Sequence, residues 1–102
     1  MMRIAVIGRD ISLDDQMRAY GEYKVFLVLA PYARHIDHVE VVLEGRSTHL
    51  NRTATCTVMV TLAPGGREQV RARGSRAYSA IDSAAKRLKQ VMQSREADPI
   101  PT

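Results

Sequence analysis

The side chains of this 102-residue chain that could carry out chemistry are three histidines, one cysteine and a set of clustered cations. His35 and His38 straddle a junction between helical and extended patterns, and His49 sits in a polar loop. No second cysteine or acidic cluster completes a tetrahedral set, so a zinc site is not expected. Cys56 lies on the apolar side of an alternating run, which suits a small core residue better than a nucleophile. Catalysis needs a nucleophile with its base, a carboxylate pair or metal ligands at workable spacing, and none of these is apparent. The glycines of "GRD", "EGR" and "PGGRE" do not open a helix after a strand in Walker or dinucleotide-binding order. The expectation is a protein without catalytic residues, metal or cofactor.

The cations are informative through their distribution. The formal charge is +4, but residues 1–65 are balanced. Residues 66–95 hold eight basic groups against Glu68 and Asp82, a net of +6. Such asymmetry is the footprint of a surface that meets phosphate, although a basic surface also serves solubility alone. Within "YSAIDSAAKRLKQ" the apolar positions Tyr78, Ile81, Ala84, Ala85 and Leu88 define one helical stripe. Taking Ile81 as zero, Lys89 falls at about 80°, Lys86 at 140°, Arg76 at 220° and Arg87 at 240°. The cations therefore flank and oppose the buried stripe, with few acids between them. Tyr78, Tyr20 and Phe26 read as packed residues, which leaves few exposed rings for base stacking and favours contacts to backbone and shape.

Elements must hold these groups in place. Arg3 to Arg9 alternates as a strand covered on part of both faces. "SLDD" offers Ser12 as an N-cap with Asp15 three residues on, so a helix is expected from Leu13. Its stripe would be Leu13, Met17, Tyr20, Leu27 and Val28, and Pro31 should stop it near residue 30. A second strand runs from Ile36 to Glu44, and "GRSTHLNR" reads as a mobile loop. Thr53 to Leu62 is the clearest strand, with Ala54, Cys56, Val58, Val60 and Leu62 inward. "APGG" turns the chain into a fourth strand at Glu68 to Arg73, where Val70 and Ala72 face in while Arg71 and Arg73 face out. Ser75 is the expected N-cap of the last helix.

The order strand, helix, three strands, helix predicts an α+β, two-layer β-α-β-β-β-α sandwich: a four-stranded mixed sheet with two helices on one face. One domain over residues 1–95 and a Pro-rich disordered tail at 96–102 complete the expected organisation. The N-terminus does not read as a signal peptide, and no run reaches the ~18 apolar residues of a membrane span. With a lone cysteine, this favours a soluble, cytoplasmic protein.

Three stretches, "IAVIGRDISLDD", "LAPYARHIDHVEVVL" and "AYSAIDSAAKRL", resemble the short ribosome hibernation-promoting factors, a family that includes ribosome-associated inhibitor A and the proteins once called sigma-modulation proteins. The last stretch looks like that family's Tyr-x-Ala-Ile-Asp motif. The resemblance implies a fold similar to a double-stranded-RNA-binding domain, and a factor that occupies the small ribosomal subunit where tRNA and mRNA would sit, stalling translation when growth slows. Its partners would be the small subunit and its rRNA, contacted mainly at phosphates. The RNA-binding candidates are Lys24, Arg71, Arg73, Arg76, Lys86, Arg87 and Lys89. In the family the first helix commonly interleaves lysines with its core stripe, whereas this chain has "KVFLVLAPY", with Val25 and Val28 at those places. Val25 to Leu29 cannot all face one side of a helix. Some either meet a partner, as in a homodimer through helix one, or are buried by a distortion near Pro31. Two other functions fit the residues: a protein-interaction module using that apolar surface, and a general double-stranded RNA binder.

Overall fold

The computed structural model describes residues 2–47 and 52–97. The elements are β1 (Arg3–Arg9), α1 (Asp15–Leu29), a 3-10 helix (Ala30–His35), β2 (Ile36–Ser47), β3 (Arg52–Leu62), β4 (Arg67–Gly74) and α2 (Ala77–Ala97). The strands form one sheet in the order β1-β2-β3-β4, with β1 parallel to β2 and the other neighbours antiparallel. This is the expected α+β sandwich, with both helices packed on the same core. The parallel pair follows from the helix that joins β1 to β2, and the antiparallel pairs from direct reversals of the chain.

Register sorts the paired strand residues into rows across the sheet. Val6, Val41, Val58 and Val70 stand opposite one another across all four strands and are buried. Gly8, Leu43, Cys56 and Ala72 make the next row on that face. α2 covers β3 and β4 with Ala80, Ile81, Ala84, Leu88 and Met92, all buried, while α1 lies against α2 and β1. Burial pushes the Cys56 thiol up to about 12, in keeping with a core residue.

Several local expectations are corrected. α1 starts at Asp15, and its cap is Asp14, whose carboxylate accepts from the Met17 N–H at 2.7 Å; Ser12 is not the cap. The helix buries Gly21, Val25 and Leu29, whereas Phe26 and Leu27 are exposed. α1 is apolar on two sides, so periodicity could not select the core side; the side that packs inward is the one bearing Gly21, Val25 and Leu29. A Cβ at Gly21 would stand 3.7 Å from Ile81 and from both Val6 methyls. Pro31 does end the α-helix at Leu29, and the chain continues as the 3-10 helix.

On β1 only one face is covered, since Ala5 and Ile7 are exposed on the side without helices. The stretch read as a mobile loop is shorter than expected, because Gly45 to Ser47 and Arg52 extend the β2–β3 ladder. Residues 48–51, His49 among them, lie outside the described residues. α2 is capped from within: Ser79 Oγ accepts from the Arg76 N–H at 3.1 Å and donates to the Arg76 carbonyl at 2.9 Å, in place of a Ser75 cap. α2 also continues through Glu96 and Ala97, past the expected boundary at 95. Residues 98–102 of the expected tail lie outside the described residues.

Candidate nucleic-acid interface

The two helices pack side by side and leave a groove between them of about 520 Å³. Lys24 of α1 and Lys86 and Lys89 of α2 rise from its walls over Leu27, Val28 and Ala85. The i, i+3 spacing of Lys86 and Lys89 puts both on the α1-facing flank of α2, while Leu88 between them points into the core. A concave, three-ammonium site on an apolar floor suits a phosphate chain, because each lysine keeps its stem on hydrocarbon and its head in water.

Asp82 ties the groove together. Its carboxylate accepts the Tyr20 hydroxyl and lies 3.5 Å from the Lys24 ammonium, which in turn stands 5.9 Å from the centre of the Tyr20 ring. Tyr20 meets Tyr78 edge to face at 5.0 Å. The hydrogen bond to Asp82 pushes the Tyr20 phenol above its ordinary value, with desolvation and the nearby charge adding to the effect. Lys24 is therefore partly committed to an internal ion pair. Among the described residues Lys86 and Lys89 make none.

The remaining candidates lie elsewhere. Arg71 and Arg73 project from β4 onto the sheet face that carries no helix, where the register places Arg71 in a row with Ile7, Val42 and Thr57, and Arg73 with Arg9, Glu44 and Thr55. Arg67 and Arg3 share a third row with His38 and Thr61. Arg76 is exposed just before α2. Arg87 leaves α2 on the flank away from Lys89, and its guanidinium donates to the Arg71 carbonyl at 3.0 Å. The seven cations thus form two patches, a groove set of Lys24, Lys86 and Lys89 and an edge set of Arg71, Arg73, Arg76 and Arg87.

Sequence reasoning missed several participants. Tyr78, read as core, is 38% exposed, and Phe26 is 49% exposed, so the helical layer does carry accessible rings. Tyr20 and Asp82 gain their roles only by contact between elements. Arg3, Arg9 and Arg67 belong to the sheet-face charge, and their signal was the alternation of β1 and β4. Among the described residues no group of histidine, cysteine, aspartate and glutamate is placed to hold a metal ion, and no helix is long and apolar enough to cross a membrane.

The mixed four-stranded sheet with two helices on one face, and a lysine groove between those helices, define a two-layer α+β protein with a surface suited to polyanions. Residues 4–97 match the family described as sigma 54 modulation protein / S30EA ribosomal protein, and the chain belongs to that family. Its fold is similar to that of a ribosomal subunit interface protein from Coxiella burnetii, with a TM-score of 0.78, 18% identity, and coverage of 94% of this chain and 99% of that one. It is similar also to the N-terminal domain of Protein Y from Thermus thermophilus, with a TM-score of 0.70, 28% identity, and coverage of 88% and 93%. No curated protein matches the chain by sequence.

Proposed function

We propose that this protein is a ribosome hibernation factor of the cytoplasm that binds the small ribosomal subunit through rRNA phosphates and blocks translation by occupying the channel of tRNA and mRNA. The reading is supported by membership of a family named for ribosomal proteins and by the name of one structural neighbour, a ribosomal subunit interface protein. The observation that carries it is the inter-helix groove, where Lys86 and Lys89 face α1 without acidic partners among the described residues. Such a site acts by occupancy. Its lysines neutralise phosphates and release counterions, and the bound domain excludes other ligands sterically, with no bond made or broken.

Salt dependence separates this reading from an apolar protein-interaction module. About six phosphate contacts on duplex nucleic acid give a log-log slope of affinity against salt near −5, shallower on folded rRNA, whereas an apolar interface changes little. The direct test is co-sedimentation with small subunits at moderate salt, comparing the wild type with an Arg87→Glu/Lys89→Glu variant. The wild type pellets with the subunit and the variant stays in the supernatant. A wild type that remains in the supernatant refutes the proposal, and equal affinity for any A-form duplex would make the protein a general RNA binder instead.

A further inference from the structure

α1 has a second apolar face that the other described residues leave uncovered. Tyr23, Phe26 and Leu27 are 59%, 49% and 51% exposed, and Ala19 and Ala30 are exposed beside them. With buried Val25 at zero, these five positions span about 100° to 200° around the helix, centred opposite the core. An arc of that width is what a helix ordinarily buries against a partner. A sequence that needed this face only wet would carry charges there, and it carries none within the arc.

We propose that this face pairs with the same face of a second copy, α1 against α1 in antiparallel order about a two-fold axis. Two features select this occupant. First, charge along α1 is self-complementary only in that direction: Asp14 and Asp15 stand exposed at the N-terminal end, and Arg34 and His35 at the end of the 3-10 helix that continues α1. Antiparallel pairing sets the acids of each copy against the bases of the other, whereas parallel pairing sets like against like. Second, large and small residues are placed symmetrically along the face. A two-fold axis near residues 24 and 25 places Tyr23 opposite Phe26 of the second copy, so that rings meet rings beside the axis, and Ala19 opposite Ala30 toward the two ends. A polyanion is a poor occupant, because Asp15 and Glu22 border the stripe at about 80° and 60°.

Area sets the strength. Taking 150–250 Å² for a whole aromatic side chain, three half-exposed large residues offer on the order of 300 Å² per copy. The dimer then buries about 600 Å² from the stripe, well below the ~1,200 Å² at which stable interfaces begin. The association is therefore weak and driven by concentration. It does not depend on the ribosome reading. The two surfaces do adjoin, however, because Leu27 belongs to both the stripe and the lysine groove.

Sedimentation velocity of the full chain between about 10 µM and 1 mM tests the proposal at the affinity expected for so small an interface. The wild type shifts from monomer toward dimer across that range. Phe26→Glu and, separately, Tyr23→Lys remain monomeric with unchanged circular dichroism and melting temperature, since neither residue is buried. Arg34→Asp weakens the dimer, and adding Asp15→Arg restores it. A wild type that stays monomeric at 1 mM overturns the proposal, as does a Phe26→Glu variant that dimerises like the wild type. Failure of the charge swap overturns the antiparallel arrangement. If the wild type is monomeric while Phe26→Glu loses small-subunit binding, the stripe belongs to the ribosome contact and the proposal falls.

Discussion

Asp82 is an acid in a strongly basic stretch, and its neighbours explain its presence. It receives the Tyr20 hydroxyl and holds the Lys24 ammonium, so one carboxylate joins α1 to α2 across the groove. The phenol of Tyr20 is raised from its ordinary value of 10.0 chiefly by this hydrogen bond. The folded state thus holds the proton more tightly than the unfolded state does. The bond's contribution to stability is complete below pH 10 and is lost as pH rises through the folded value. In a chain with Tyr23, Tyr32 and Tyr78 replaced by Phe, absorbance titration should show Tyr20 ionising above 10, and Asp82→Ala should bring it back toward 10. An unchanged titration would mean that the bond does not persist in solution. The motif made Tyr78, Ile81 and Asp82 conspicuous in the sequence. Their partners were not legible, because Tyr20 lies 62 residues from Asp82 along the chain.

At the scale of elements, two glycines show where helices are held close and where they merely cross. At Gly74 a Cβ would stand 2.4 Å from Ser79 Oγ and 2.5 Å from the Ala80 nitrogen, in the turn that delivers β4 into α2. Backbone cannot withdraw there without disturbing the cap that Ser79 makes to Arg76. At Gly21 the nearest atoms are 3.7 Å away, an ordinary contact. Gly74→Ala should therefore lower stability by about 1–3 kcal/mol as overpacking does. Gly21→Ala should leave it unchanged or raise it by up to about 1 kcal/mol through helix propensity. Urea denaturation of the two variants checks the contrast, and equal losses would contradict it. Helices also guard the sheet. Arg18 of α1 donates to the Val6 carbonyl at 2.6 Å, and Arg87 of α2 donates to the Arg71 carbonyl at 3.0 Å. Each outer strand thus has a backbone acceptor taken by an arginine from the helix above, which blunts strand addition at both edges.

Across the whole molecule, the +6 of residues 66–95 is divided between two faces. The groove between the helices is concave, with an apolar floor, and its one acid among the lining residues, Asp82, is held by Tyr20 and Lys24, whereas on the open sheet face Glu40 and Glu44 stand among the arginine rows. Lys86→Glu/Lys89→Glu should therefore weaken small-subunit binding at least about tenfold, and reduce the magnitude of the salt slope by nearly 1 for each phosphate no longer neutralised. Arg71→Glu/Arg73→Glu should weaken it less. Titrations of both variants against salt decide the order, and a larger loss from the sheet-face pair would move the principal RNA-binding surface to that face. By itself the sequence determined the strand and helix order, the mixed sheet, the inward residues of β3 and β4, the stop at Pro31 and the family. Each of these rests on patterns a few residues long or, for the family, on three short stretches of sequence. Only the tertiary structure decided which side of α1 is core, where Asp82 finds its partners and how the cations divide. α1 is apolar on two sides, so packing against Val6 and Ile81 had to choose between them. A cation's patch, likewise, is set by which elements meet beside it in space.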